Sequence, residues 1–341
     1  MSDPFQTFLH QVLAGGRLSA DEAQAAIGHL LDGEIDLARA CAFLAALKVR
    51  GEAPAELIGG ARALRARAVT IAAPPDAIDT CGTGGDGADT LNISTAAAIV
   101  AAGAGAIVAK HGNRAVSSKS GSSDVLAALG VKIDAGAAVA ERCLREIGLA
   151  FLFAPAFHAG VGRIAEARKT LGVRTIFNLL GPLANPAGAR AQLVGVYDRA
   201  LLGPFAEALQ ALGVERAMVV AAEDGLDEIS LSAPTHFARL DSGAIAFGVL
   251  TPEEVGMDRA PLAAIKGAGP AENAAAILRL LAGEPGPFAD IVALNAGAAL
   301  FVSGRAATIV EGIAHARAAI ATGAAKAKLD ALIALSNASA A

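Results

Sequence analysis

Three stretches hold most of the residues in this chain that could do chemistry: Asp79-Thr-Cys-Gly-Thr-Gly-Gly-Asp86, Asn92-Ile-Ser-Thr95 and Lys110-His-Gly-Asn-Arg-Ala-Val-Ser-Ser-Lys-Ser-Gly-Ser122. Glycines in the first let a ligand approach the backbone and permit a positive φ, both of which a side chain opposes. Hydroxyls at Ser94 and Thr95 stand where a helix should begin. The N–H groups of such a loop, with the positive end of a helix, form an anion site. Taken alone the loop also fits a plain tight turn, and it matches neither G-x-G-x-x-G nor the P-loop with its Gly-Lys-Ser/Thr ending. The third stretch sharpens the case. Lys110, Asn113, Arg114, Ser117, Ser118, Lys119 and Ser122 follow an apolar run, with no carboxylate before Asp124. Donors without acceptors suit an anionic ligand. The carboxyl end of a strand is where α/β folds collect such ligands. An enzyme handling a phosphate ester or pyrophosphate is expected.

Asp227-Glu228, in Gly225-Leu-Asp-Glu-Ile-Ser230, places two adjacent carboxylates between strand-like runs. A solvated turn would explain them, but beside a phosphate site they are the expected anchor for Mg²⁺, which binds through one or two carboxylates plus substrate phosphates. Arg168 is either a surface residue of a helix or a fork for a substrate carboxylate. His111 reads as a loop histidine with no assigned acid-base role. Cys81 has no base partner in sequence and reads as a small packed residue.

The elements that must hold these residues follow from periodicity. Phe5 to about Arg67 is helical throughout, with Ser19 and Glu22 as a capping box and Pro54 at a helix start. Pro74-Pro75 ends this part as a stiff linker. Strands are then expected at Ala77–Thr80, Ala106–Ala109, Ala150–Phe153, Gln192–Tyr197 and Arg216–Ala221, with Glu228–Ser232 and Phe237–Leu240 as antiparallel candidates. Helices are expected between them at Thr95–Ala102, Ser123–Ala128, Ala137–Ile147 and Leu201–Leu212. This alternation predicts an α/β lobe with a mostly parallel sheet. Ala271–Leu281 and Phe288–Ala341 return to helix, with Asn295 inside an apolar one.

Composition narrows the function classes. The 28 basic and 33 acidic residues leave −5 overall, which offers no footprint for nucleic acid. Three widely spaced cysteines suit a reducing cytosol, and the opening Met-Ser-Asp-Pro-Phe-Gln shows no basic segment ahead of an apolar one, so a cytoplasmic protein is expected. The uncharged run from Thr90 to Ala109 is just long enough for a membrane span. Its Asn92, Ser94, Thr95 and Gly-Ala-Gly at 103–105 instead predict a buried helix followed by a buried strand.

Together these blocks closely resemble the anthranilate phosphoribosyltransferase family, over essentially the whole chain and as far as Gly269-Pro-Ala-Glu-Asn273 and Leu294-Asn-Ala-Gly-Ala-Ala-Leu300. The resemblance implies a small α-helical N-terminal domain, about residues 1–72 with a contribution from about 163–186. This domain would be hinged to an α/β domain at 73–341, in a homodimer. It implies 5-phosphoribosyl 1-pyrophosphate and anthranilate as substrates and Mg²⁺ as cofactor, with two ions per subunit.

By motif, Gly82, Gly85, Asp86 and Thr90 would line the phosphoribosyl pyrophosphate site, continued by Asn92, Ile93, Ser94 and Thr95. Lys110, His111, Gly112, Asn113, Arg114, Ala115, Val116, Ser117 and Ser118, with Ser122, would grip its phosphates. Asn113 and Arg168 would hold anthranilate, and Lys110, Asn113 and Arg168 would stand closest to the chemistry. Ser94 would touch one Mg²⁺, and Asp227 with Glu228 would bind the other. The chain departs from the family at His158-Ala-Gly-Val-Gly, where His-Pro-Ala-Met-Lys is usual, and at Ala221-Ala222, where His-Gly is common. A pyrimidine nucleoside phosphorylase shares the architecture but gives no reason for the acidic pair. A nucleic-acid-binding relative would need basic stripes that this chain lacks.

Overall fold

Four helices in succession open the computed structural model, which describes residues 3–114 and 119–338. They are α1 (Pro4–Leu13), α2 (Ala20–Asp32), α3 (Leu37–Arg50) and α4 (Pro54–Ala66). Local chemistry sets each start. Asp3 accepts from the Phe5 amide, Ser19 and Glu22 form the reciprocal capping box, and Asp36 accepts from the Arg39 amide. Glu56, only 1% exposed, accepts from the backbone amides of Leu18 and Ala53 and from the Arg50 guanidinium. One buried carboxylate thus ties together the chain before α2, the end of α3 and the start of α4.

Strands and helices then alternate. In order they are β1 (Ile78–Gly82), α5 (Ile93–Gly103), β2 (Val108–Gly112), α6 (Ser122–Ala128), α7 (Ala137–Ile147), β3 (Leu149–Phe153) and α8 (Ala154–Phe157). Next come α9 (Ala165–Leu171), α10 (Phe177–Leu180), β4 (Ala191–Gly195), α11 (Leu202–Ala211), β5 (Arg216–Ala222), β6 (Thr235–Asp241) and β7 (Ala244–Leu250). The chain closes with α12 (Pro270–Leu281), α13 (Pro287–Val302), α14 (Ile309–Ala321) and α15 (Ala324–Asn337). The sheet order is β3-β2-β1-β4-β5-β6-β7; the first five strands are parallel and the last two antiparallel. Strand order reverses between β1 and β4, and a doubly wound sheet opens its binding crevice beyond the carboxyl ends of the strands at that point.

Two expectations need correction. Glu228–Ser232 is not a strand. The side chain of Asn295 on α13 accepts from the Ile229 amide and donates to its carbonyl, so α13 takes the bonds a neighbouring strand would have made. The polar residue inside an apolar helix is thereby explained. In turn β7 was not expected: Ser242 (φ 50°) and Gly243 (φ 81°) form a two-residue hairpin turn that brings it back along β6.

Each face of the sheet carries its own core. On one lie the alanine-rich α5, α7 and α12–α15; on the other, α11 meets α1–α4 and the apolar residues between Ile164 and Ala184. Small residues let helices approach closely. A Cβ on Gly312 of α14 would stand 2.2 Å from the Gly297 carbonyl oxygen of α13. Alanine there gains about 1 kcal/mol in helix propensity. The overpacking costs roughly 1–3 kcal/mol, and its upper end applies where backbone is struck. Gly312→Ala is therefore expected to lower the thermal midpoint, and an equal or higher midpoint would show that the two helices separate freely. Among the described residues no helix is long and apolar enough to cross a membrane, so Thr90 to Ala109 resolves into α5 and β2.

Candidate active site

The crevice at the β1/β4 boundary is built from glycines. Gly82 and Gly195, the last residues of β1 and β4, face each other in register. A Cβ on Gly195 would lie 1.5 Å from the Asp227 carbonyl oxygen, and one on Gly82 would lie 2.6 Å from its Oδ2. Only two bare strand ends let the Asp227-Glu228 loop lie across them. Beyond β1, Gly84, Gly85 and Gly87 all take positive φ (62°, 75° and 68°) and turn the chain back toward α5.

Asp227 and Glu228 reach the two anion-type donors of the crevice. Asp227 Oδ2 accepts from the Gly84 amide at 2.8 Å, and Glu228 Oε1 accepts from the Ser94 amide, in the first turn of α5, at 3.0 Å. Burial pushes both carboxyls well above the usual carboxylate range. The neighbouring Asp86 carboxylate raises Asp227 further, and Asp227 does the same to Glu228. Hard oxygen atoms, half-buried and mutually repelling, fit a divalent cation of the Mg²⁺ type, which supplies the missing counter-charge. Among the described residues no three His, Cys, Asp or Glu side chains form a complete metal cage. That suits Mg²⁺ shared with substrate oxygens.

The other expected residues distribute as follows. Asp86 accepts from the Ala88 amide, and Thr90 bridges to Lys266. Asn92 precedes α5, donating to the Ser120 carbonyl and accepting from Asn273. Ile93 and Thr95 are buried at the start of α5, and the Ile93 amide donates to the Leu91 carbonyl. Lys110 is 4% exposed; its ammonium donates to the Thr80 carbonyl and faces the carboxylates of Asp79 and Glu228. It balances charge beneath the crevice. Gly112 passes so close to Ser122 Oγ and Phe151 that a Cβ would lie 2.3 Å and 2.6 Å from them. The Asn113 carbonyl accepts from Ser122 Oγ, while Arg114 stands 3.6 Å from Asp124 and over the Phe153 ring. Ala115, Val116, Ser117 and Ser118 lie outside the described residues.

His111 turns away from the glycine loop. Its amide donates to Asp79, its Nδ1 lies 3.1 Å from the Gly181 carbonyl, and its ring meets His158 edge-on. Burial holds its pKa down at about 3, against an ordinary 6.5, and His158 beside it is lowered for the same reason. The unfolded chain therefore takes up a proton below pH 6.5 that the folded chain refuses. For His111, stability is lost as pH falls from about 6.5 toward 3, at up to about 1.4 kcal/mol per pH unit, and His158 acts in the same direction. His111→Asn should flatten the dependence of the urea midpoint on pH between 6.5 and 4. An unaltered slope would place the pH sensitivity elsewhere.

His158 Nε2 lies 2.9 Å from the Ala184 carbonyl, and Gly160 packs where a Cβ would stand 3.1 Å from the Leu31 carbonyl. The unusual His158-Ala-Gly-Val-Gly run thus joins α2 to the chain after α10. Arg168, on α9, is half-buried and has no hydrogen-bond or ion-pair partner among the described residues; burial lowers its pKa. A half-buried guanidinium without an acceptor among the described residues is a seat for a carboxylate.

Sequence reasoning assigned no role to Arg174 or Tyr197. Arg174 donates to the carbonyls of Gly84 (2.8 Å) and Thr83 (3.3 Å), and its guanidinium lies 4.1 Å over the Tyr197 ring. Tyr197 is the chain's one tyrosine, two residues beyond β4, and its amide donates to Thr83 Oγ1. A lone tyrosine leaving a strand next to the glycine loop was the available signal.

Known proteins resemble this chain in sequence and in fold. The a/b domain of the glycosyl transferase family matches residues 74–326, and the helical bundle domain of that family matches residues 6–68. An anthranilate phosphoribosyltransferase of Azorhizobium caulinodans is 49% identical over 96% of this chain and 95% of its own, and that of Maricaulis maris is 54% identical over 92% of each. Among solved structures, the anthranilate phosphoribosyltransferase of Thermus thermophilus superposes with a TM-score of 0.92 at 45% identity, covering 97% of this chain and 99% of that one. The Saccharomyces cerevisiae enzyme in complex with PRPP and Mg gives 0.90 at 28% identity, with 97% of both chains covered. The same yeast enzyme is known in complex with 4-fluoroanthranilate. With this agreement in sequence and fold, the chain belongs to the anthranilate phosphoribosyltransferase family.

Proposed function

We propose that this protein transfers the 5-phosphoribosyl group of 5-phosphoribosyl 1-pyrophosphate to the amine of anthranilate, releasing pyrophosphate, as a step of tryptophan biosynthesis. The observation that carries the reading is the meeting, at one crevice, of the Gly84 and Ser94 amides with the Asp227-Glu228 pair. The donor lies along Gly82, Gly85, Asp86, Thr90 and Asn92 to Thr95, with the chain from Gly112 to Ser122 at its phosphates and Lys110 beneath them. Anthranilate lies against Arg168, its carboxylate on the unpartnered guanidinium, and Asn113 stands beside it.

The arylamine is neutral at pH 7, so bond formation to C1′ needs no strongly perturbed base. The barrier is the negative charge gathering on the departing diphosphate. Preorganised backbone N–H groups and the positive end of α5 face that charge, the kind of term that usually contributes most to catalysis. Mg²⁺, held by Asp227 and Glu228 with Ser94 close by, supplies positive charge to the diphosphate when bound; two ions per subunit are part of the proposal. Lys110 faces Glu228 and opposes the rise of its pKa, without cancelling it. Holding amine and C1′ in line supplies much of the remainder.

The chain is divided near residue 73, with about 163–186 counted in the helical domain because its apolar side chains share a core with α1–α4. A homodimer in the cytoplasm is part of the proposal, the location supported by three free thiols. The direct test is the loss of anthranilate fluorescence on adding the donor and Mg²⁺, run against a nucleoside with inorganic phosphate. Turnover only in the second reaction would replace this function with phosphorolysis.

A further inference from the structure

We propose that Arg174 is the positioning residue of the glycine loop: its guanidinium holds the loop carbonyls down so that the loop amides stay presented to the phosphoribosyl donor. The inference rests on the assignment of that loop to the donor and goes beyond it to the residue that shapes it. A loop with positive φ at Gly84, Gly85 and Gly87 has little conformational preference of its own. Something outside it must select one shape.

Arg174 is placed to do so. It arrives from another part of the chain, two residues after Gly172 ends α9 in the left-handed region (φ 62°). Its two terminal nitrogens take the adjacent carbonyls of Thr83 and Gly84, and its plane rests on Tyr197, which itself binds Thr83. A rigid fork, pre-organised for two acceptors and stacked on an aromatic face, suits this better than a lysine would. The fit has no slack: a Cβ on Gly85 would lie 1.3 Å from Arg174 Nη1. Glycine at 85 is therefore required by the arginine as well as by its own φ of 75°. With the carbonyls held on the Arg174 side, the Gly84 amide is left to donate into the crevice, where Asp227 now accepts from it.

The test is steady-state kinetics on the full-length enzyme with Mg²⁺, for Arg174→Met, Arg174→Lys, Gly85→Ala and the Gly85→Ala/Arg174→Met pair. Loss of two hydrogen bonds to a charged group is expected to raise the donor KM in Arg174→Met by roughly tenfold or more, with the anthranilate KM within about twofold of the parent. Arg174→Lys should fall between parent and Met, since it keeps the charge and one bond. Gly85→Ala should raise the donor KM by displacing the same guanidinium, and the double variant should be no worse than the poorer single one. An unchanged donor KM in Arg174→Met, equal rises in both KM values, or additive effects in the pair would overturn the role of Arg174. An unchanged donor KM in Gly85→Ala would instead remove the donor from this loop, and the inference with it.

Discussion

Arg168→Ala is expected to raise the KM for anthranilate by about 10- to 100-fold while leaving that for the phosphoribosyl donor within about twofold, the range set by losing a hydrogen-bonded ion pair of roughly 1.5–3 kcal/mol. The reason is in the surroundings of the guanidinium. It is half-buried on α9, burial already works against its charge, and no described residue accepts from it. A cation kept in such a place without a partner gains most when a ligand brings a carboxylate. Alanine removes that gain and opens no cavity in either core, so the folded state should survive. Arg168→Lys should recover only part of the loss, because a point charge cannot make the planar two-pronged contact. Comparable changes in the two KM values would move anthranilate away from α9.

Asp227→Asn is expected to raise the Mg²⁺ concentration for half-maximal rate by about tenfold or more, and at the same time to stabilise the protein in metal-free buffer. The two effects share one origin. Asp227 is half-buried beside Asp86 and Glu228, and desolvation and the Asp86 charge hold its carboxyl well above 3.8. A group whose folded-state pKa is raised costs stability at every pH above its unfolded value, and most of all once it ionises in the fold. A neutral amide ends that cost and can still accept from the Gly84 amide through its oxygen. What it cannot do is hold a hard cation as well. Thermal denaturation with and without Mg²⁺ reads both halves: the parent should gain more from the metal than the variant does. A variant that keeps its Mg²⁺ response and loses metal-free stability would take Asp227 out of the metal site.

What can be read in a chain like this depends on where the cause lies. A positive-φ turn leaves its mark locally, so Gly82-Thr-Gly-Gly-Asp86 and the helix starting near Ser94 are legible without coordinates. The amphipathic repeat of α7 is likewise local, and its expected limits, Ala137–Ile147, are the observed ones. The parallel sheet follows from alternation. Other features depend on contacts across long separations in sequence. Arg174 meets a loop 90 residues away, and next to Arg168 it reads as one more basic residue on the same stretch. Glu228–Ser232 has the composition of a strand, yet Asn295, 66 residues on, takes its hydrogen bonds. Lys110 reads as a donor reaching outward among donors. In the fold its strand is covered on both faces, so the ammonium ends on the Thr80 carbonyl with Asp79 and Glu228 beside it.

The hairpin that adds β7 leaves the sheet with an open border. On the strand itself Phe247 is 66% and Val249 47% exposed, and among the described residues β7 pairs only with β6. Backbone donors and acceptors along that border, flanked by apolar side chains and carrying no charge between Ala244 and Leu250, are a template onto which a foreign extended chain can zip. The molecule therefore carries its colloidal weak point far from its chemistry. Val249→Lys would protect it in concentrated solution without approaching the crevice.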